Sequence, residues 1–245
     1  MSRESLKGQA MQGLVESATG ILSASERRLE SVSNNVSNIS TPGFKRQVSF
    51  EEAMGNRDST SLGKSLRHRT DFAQGQMSRT GNPLDLAISG AGFFRLRAGK
   101  EILYSRQGQF SLAADGTAVT RQGHVLQQAG GGDLVLERAA VEILEDGTVL
   151  DGLRPIARIG IYAATDPASL RPLGGAMFAA GDEAMDEAPA ATLRQGMVEA
   201  SNVVLGDEMV AMMTTVRQAE GGARLVQIYD DLLGRAISTF GQVGK

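Results

Sequence analysis

The sequence has no cysteine and no tryptophan, and only 4% of it is aromatic. Without cysteine there is no disulfide framework, no thiolate nucleophile and no Cys-ligated zinc. A cysteine-free chain is compatible with an oxidising compartment, because it cannot mispair there. Histidine is almost as scarce. His68 and His124 stand alone, with no second His or Glu at metal-ligand spacing. Few aromatics leave little for stacking bases or sugars, and a net charge of -3 argues against a nucleic-acid footprint. No apolar run approaches the roughly 18 residues of a membrane span. The charged stretch Met1 to Gln12 lacks the apolar region of a cleavable secretory signal, so work outside the cytoplasm would require a route that does not use one. Proline is rare, at 6 residues, while glycine reaches 30, which points to tight turns in a folded chain.

What the sequence does have is periodicity at both ends. Residues 4 to 39 are free of proline, and Val15, Leu22, Leu29 and Val36 recur every seventh position. Met11, Ala18, Ser25, Val32 and Ile39 form the partner series, completing the stripe of a helix that packs on other helices. Such a helix is on the order of 45 to 50 Å long. It stops at Thr41-Pro42-Gly43, where Pro forbids continuation and Gly permits a turn. The other end repeats the pattern: Val198, Leu205, Met212, Ala219, Val226, Leu233 and Phe240, with Met209, Val216, Ala223 and Ile237 in the second series. Asn202 and Asp230 are its polar exceptions, and Gly221-Gly222 interrupts it, as a kink or a close helix contact.

The middle has a different texture. Short apolar runs such as Leu84–Ile88, Val141–Leu144 and Ile156–Tyr162 are separated by Asp115-Gly116, Asp146-Gly147 and Asp151-Gly152. This predicts antiparallel strands joined by hairpin turns. The expected class is α+β: long terminal helices pairing as a coiled coil around a mainly antiparallel β middle. The expected segments are a first helix over 1–43, a linker or extended segment over 44–83, a β domain over 84–178, a linker over 179–192 and a last helix over 193–245.

Chemistry-bearing motifs are missing. Gly90-Ala91-Gly92 follows a strand-like run, but the third glycine of a dinucleotide loop would fall on Arg95, and the chain continues as a strand. Carboxylates cluster in Asp-Gly turns, where they bond the turn backbone. There is no nucleophile elbow. Catalytic, metal and cofactor-binding residues are therefore expected to be none. Lys64, Arg67, Arg69 and Arg79 read as a solvated loop, or as a contact for the acidic stretch 182–187 of an adjacent copy. One run resists a bland reading: Asn34, Asn35 and Asn38 crowd the end of the first helix. Asn is a poor interior helix residue, and near a seam it fixes register at a cost in stability. Asn202 falls at a seam position of the other stripe.

At these residues the chain resembles the rod and hook family of bacterial flagellar axial proteins. The run Asn34-Asn35-Val36-Ser37-Asn38-Ile39-Ser40-Thr41-Pro42-Gly43-Phe44-Lys45-Arg46 is similar to that family's N-terminal signature. Asn82 to Phe94 resembles a second block, and Ser105-Arg106-Gln107-Gly108-Gln109-Phe110 a third. Val198 to Val203, with Glu208-Met209-Val210 and Arg217 to Glu220, resembles the C-terminal block. The modest length is most like a proximal-rod member of the family. Gly221-Gly222 departs from its usual polar, helix-favouring residues.

The resemblance implies a non-enzymatic subunit of a hollow, helical, torque-transmitting shaft in the periplasm-spanning basal body. It also implies passage through the flagellum's own type III export apparatus. Expected partners are other rod subunits and copies of the chain itself, with no nucleic acid and no membrane insertion. Asn34, Asn35, Asn38, Pro42, Gly43, Phe44, Ser201, Asn202, Glu208 and Met209 are the expected assembly motif. Val15, Leu22, Leu29, Val36, Leu205, Met212, Val216, Val226 and Leu233 are the expected seam. The rival readings are a distal-rod or hook subunit, or a cell-wall hydrolase with helical arms, which would need paired carboxylates in a cleft.

Overall fold

The computed structural model describes residues 3–52, 65–181, 185–188 and 190–242, with side chains from residue 16 in the first helix to residue 235 in the last. Two compact units emerge. One comprises 1–36, 47–69 and 205–245, the other 37–46 and 70–204.

The first unit holds both long helices, α1 (Arg3–Ser37) and α2 (Leu205–Gln242). At 1.5 Å per residue they span roughly 52 and 57 Å. A two-stranded sheet of Gln47–Glu52 with Ser65–Thr70 accompanies them. The helices meet at three described places between residues 21–35 and 208–222. Arg28 Nη1 donates to Gln218 Oε1 at 3.2 Å, and Asn35 Nδ2 to Glu208 Oε2 at 3.2 Å. A Cβ added at Gly222 would lie 3.1 Å from Ile21 Cγ2 and 3.3 Å from Leu22 Cγ. Numbers rise along α1 as they fall along α2, so the two run antiparallel at these contacts.

The second unit is β. Its largest sheet is antiparallel and runs Arg171–Gly174, Met177–Ala179, Glu101–Ser105, Phe93–Ala98, Val125–Leu126, Ala118–Val119, Ser111–Leu112. Ile161–Ala164 joins it beside Phe93 and Phe94 and pairs in turn with Met185–Glu187. A three-stranded antiparallel sheet of Glu142–Ile143, Thr148–Asp151 and Arg154–Arg158 lies apart from it. Side chains alternate across a strand, and Phe93 and Phe94 show it. Phe94 enters the main core with Leu86, Ile88, Leu96, Leu126, Leu136 and Val149, while Phe93 enters a second cluster with Tyr104, Tyr162 and Phe178. The Asp-Gly turns form as expected. Asp146 Oδ1 accepts from Thr148 N at 2.9 Å, and Gly147, at φ +88°, packs where a Cβ would lie 2.3 Å from Ile159 O.

The α+β class and the antiparallel middle agree with the sequence, but segment edges differ. The stretch read as a linker or extended segment over 44–83 contains strands, including Met77–Arg79. The last helix begins at Leu205, not at 193. Before it, Thr192–Gln195 pairs with Leu86–Ser89, and Met197–Glu199 pairs with Met77–Arg79. Gly196, at φ +71°, makes the corner between these strands, and its carbonyl accepts from Thr80 N and Gly81 N. Val198 matches the seven-residue spacing, yet its side chain is buried in a strand. Backbone pairing with a strand more than a hundred residues away overrides the helical period there.

Candidate assembly site

Residues from the first, third and C-terminal sequence blocks meet in space around one carboxylate. Lys45 Nζ donates to Glu199 Oε1 at 2.5 Å, and Arg106 Nη1 donates to Glu199 Oε2 at 3.1 Å. Side-chain exposure is 1% for Lys45, 4% for Arg106 and 0% for Glu199. Backbone completes the knot. Gly75 N donates to Glu199 Oε1 at 2.8 Å, Lys45 Nζ to Ala73 O at 2.8 Å, and Arg106 Nη2 to Gly90 O at 2.7 Å. Burial pulls Lys45 below its usual ammonium range, and the hydrogen bond and charge of Glu199 resist that pull. Burial likewise lowers Arg106, again opposed by Glu199.

Gly43 shows why the first block reads Pro-Gly. Its φ is +71°, its N donates to Glu199 O at 2.7 Å, and a Cβ there would lie 2.3 Å from Arg106 C. Only glycine lets the chain pass this close. Pro42 precedes it at partial exposure, and Phe44 after it is buried at 1%. One carboxylate thus fastens two cations and the backbone around them, with Arg106 Nε left without a hydrogen-bond partner. Among the described residues, no group of His, Cys, Asp and Glu is placed to hold a metal.

Asn202 belongs to the same junction, not to a helix seam. It precedes α2, where its Oδ1 accepts from Arg46 N at 2.7 Å and its Nδ2 donates to Asp71 O at 2.8 Å and Ala73 O at 3.1 Å. Ser201 caps the same turn, its Oγ accepting from Val203 N at 3.2 Å. Asn38 anchors the end of the first helix, with its O and Oδ1 accepting from Thr41 N and Oγ1 at 3.0 and 3.1 Å.

Within the helical unit Asn35 is the buried member of the Asn cluster, at 1% exposure, while Asn34 is half-buried. Asn35 Nδ2 donates to Gln47 O and its Oδ1 accepts from Gln47 N, both at 2.8 Å, and the same Nδ2 reaches Glu208. One amide thus ties α1, the returning chain and α2. Asn is a weak helix residue, and here its side chain mimics a backbone strand partner that no apolar residue could replace.

The seam between the helices is largely apolar on α1, while the fully buried positions of α2 are small or polar. Ala18, Ser25 and Val32 are buried on α1, with Leu22, Leu29 and Val36 half-buried beside them. On α2 the buried series is Glu208, Thr215 and Gly222, with Val226 and Leu233 half-buried. Thr215 satisfies its hydroxyl on Ala211 O at 2.7 Å. Gly222 is therefore a close helix contact within one continuous helix. The side chains of Val15, Ile237 and Phe240 lie outside the described residues, as do those of Lys64, Arg67 and His68.

The larger apolar residues of α2 point elsewhere. Leu205, Met209, Met212 and Val216 are 47, 50, 39 and 41% exposed. At about 100° per residue they share, with Met213, one stripe roughly 100° wide. Leu225, Ile228 and Leu232, at 41, 56 and 54% exposure, form a second. The two stripes flank the seam on opposite sides. Periodicity found the helix but could not say which apolar row faces α1. Lys45, Arg106 and Glu199 carry little local signal: Lys45 adjoins Arg46, Arg106 lies between Ser105 and Gln107, and only Glu199 is a single charge among apolar and small neighbours.

Comparison with known proteins follows the same three segments. Residues 16–45 match the flagella basal body rod protein family, residues 87–150 the flagellar hook protein FlgE/F/G D1 domain, and residues 194–239 the flagellar basal body rod FlgEFG protein C-terminal family. Lys45, Arg106 and Glu199 each fall in a different one of these segments. The chain is 29% identical over 232 residues to the flagellar basal-body rod protein FlgF of Caulobacter vibrioides, covering 89% of this chain and 93% of that protein. It is 29% identical to FlgF of Mesorhizobium japonicum, with 94% and 99% covered. To FlgG of Borreliella burgdorferi it is 30% identical over 260 residues, covering 92% and 97%. A likeness that runs nearly end to end, through every block that the buried knot ties together, places this chain in the flagellar basal-body rod protein family.

Proposed function

We propose that the chain is a structural subunit of the flagellar basal-body rod, in which α1 and α2 pair as a coiled coil and stack against the same helices of neighbouring subunits. The observation that carries this reading is the apolar surface that α2 does not use on its own. Its intramolecular seam is small and polar, while two stripes of Leu, Met, Ile and Val stay uncovered on either side. Uncovered stripes on two flanks suit a subunit with a helix on each side, and a non-closing repetition of such contacts generates a helical filament.

In this reading α1 and α2 contribute to the shaft. The Asn35 and Asn202 junctions set where each helix meets the rest of the chain. Torque passes through packed helices that resist deformation. Export runs through the flagellar type III apparatus, and the shaft crosses the periplasm. The proximal, FlgF-like position is favoured over the distal one. The FlgF alignments run over 232 and 238 positions and the FlgG alignment over 260 for a similar share of the chain, so the FlgF alignments carry fewer gaps.

The test is localisation combined with a surface change. Purified basal bodies should contain the chain by mass spectrometry. Replacing Leu225 and Ile228 together with Asp should leave the exported subunit folded but absent from basal bodies. Normal incorporation of that variant would overturn the helix-stacking reading. Absence of the unaltered chain from basal bodies would overturn the rod assignment.

A further inference from the structure

The first uncovered stripe of α2 is unusual in being sulfur-rich. Met209, Met212 and Met213 are 50, 39 and 58% exposed and lie at i, i+3 and i+4, next to Leu205 and Val216. By contrast Met177, in the β core, is 7% exposed. Resting on the stacking role proposed above, we infer that these three methionines are a modification site at which oxidation to the sulfoxide blocks subunit stacking.

The chemistry is an oxygen-atom transfer. The thioether sulfur attacks one oxygen of hydrogen peroxide or a comparable two-electron oxidant. An S–O bond forms, the O–O bond breaks, and water leaves. Sulfur is oxidised by two electrons and the peroxide is reduced by two. Each sulfoxide turns a flexible apolar side chain into a polar one with a strong acceptor. Three on one stripe roughly 100° wide leave no dry surface for a partner helix.

The seven-residue recurrence of Leu205 with Met212, and of Met209 with Val216, fits a helical occupant, here a second copy of the same helix. Met tolerates irregular partners because it is unbranched and polarizable, which suits a surface that meets neighbours along a shaft. The chain has no cysteine to intercept oxidant first. The reaction is reversible by methionine sulfoxide reductases, so the site behaves as a switch and not as a lesion.

The experiment uses the full chain. Peroxide-treated subunit is digested and its sulfoxides mapped by mass, and self-association is followed by sedimentation before treatment, after it, and after reductase repair. Met209, Met212 and Met213 should oxidise at least tenfold faster than Met177. The treated chain should lose at least tenfold in association, and repair should restore it. The variant carrying Met209→Leu, Met212→Leu and Met213→Leu should associate as the original does and ignore peroxide. Equal association of oxidised and untreated chain, or a triple-Leu variant still sensitive to peroxide, would overturn the switch while leaving stacking intact. Failure of the untreated chain to associate would instead remove the stacking reading beneath it.

Discussion

Replacing Glu199 with Gln tests the buried knot most directly. The change keeps shape and an acceptor oxygen but removes the negative charge that pairs with both Lys45 and Arg106. Both cations are nearly sealed, at 1 and 4% side-chain exposure, so water cannot replace the lost charge. Removing one member of a buried pair costs about 3 to 5 kcal/mol. Total stability of a domain is about 5 to 15 kcal/mol, so the loss is a large fraction of it. With a urea slope of about 2 kcal/mol per molar, the midpoint should fall by about 1.5 to 2.5 M. Tyrosine fluorescence reports on the right region, because Tyr104 and Tyr162 are buried in the β unit at 9 and 8% exposure, and there is no Trp to obscure them. Lys45→Met is the informative control. It leaves Arg106 and Glu199 as a neutral pair and should cost well under half as much. A Glu199→Gln midpoint within about 0.5 M of the original, or a Lys45→Met loss as large as that of Glu199→Gln, would refute the charge argument.

The remaining predictions address pH, the amide tie and the glycine pair. Burial lowers Lys45 below its ordinary 10.5, so the unfolded chain holds that proton more tightly. Stability should therefore rise with pH as the folded Lys45 loses its proton, up to 10.5, and Lys45→Met should flatten that rise in urea titrations at stepped pH. Hydrogen bonds from Thr117 hold Asp115 below 3.8, those from Arg97 and Gln127 do the same for Asp133, and those from Thr148 for Asp146. Their contribution is complete above 3.8 and should fade as pH drops through the lower folded values, measured by acid unfolding. Asn35→Ala should cost about 2 to 3 kcal/mol, because it orphans both backbone groups of Gln47. Asn35→Asp should cost more, since it sets a carboxylate beside Glu208 and loses the donor. Gly221→Ala, which meets open space, should gain about 1 kcal/mol of helix stability in thermal melts. Gly222→Leu should destabilise the helical unit by pressing on Ile21 and Leu22, whereas equal melts for both variants would count against the close contact.

Much of the architecture was legible because periods of two and of seven survive in one sequence without any knowledge of partners. Asp146-Gly147 announces a hairpin whatever lies around it, since the turn is closed by Thr148 two residues on. Thr192–Gln195 and Met197–Glu199 were not legible as strands, because their partners at Leu86–Ser89 and Met77–Arg79 are remote and their runs are short. Asn202 was misplaced for the same reason. Its spacing matched a seam, but its hydrogen bonds belong to Arg46, Asp71 and Ala73, which no local pattern connects to it.

The seam of α2 is the more instructive case, because it follows from what each surface must do. A helix that packs within its own chain and against others carries more than one apolar row, and a heptad count weights rows by hydrophobicity. Here the most apolar rows are exposed and the intramolecular row holds Glu208, Thr215 and Gly222. Small residues let two backbones approach closely, and a covalently linked partner needs little hydrophobic surface to stay paired, since chain connection already limits the entropy it can lose. A partner that arrives from another molecule has no such help and must be held by buried apolar area. The large residues therefore belong on the faces that meet other subunits. If that division holds, Asp at Leu225 and Ile228 should leave the monomer's thermal melt nearly unchanged while abolishing incorporation, and Leu at Gly222 should do the reverse in order of effect, lowering the melt first.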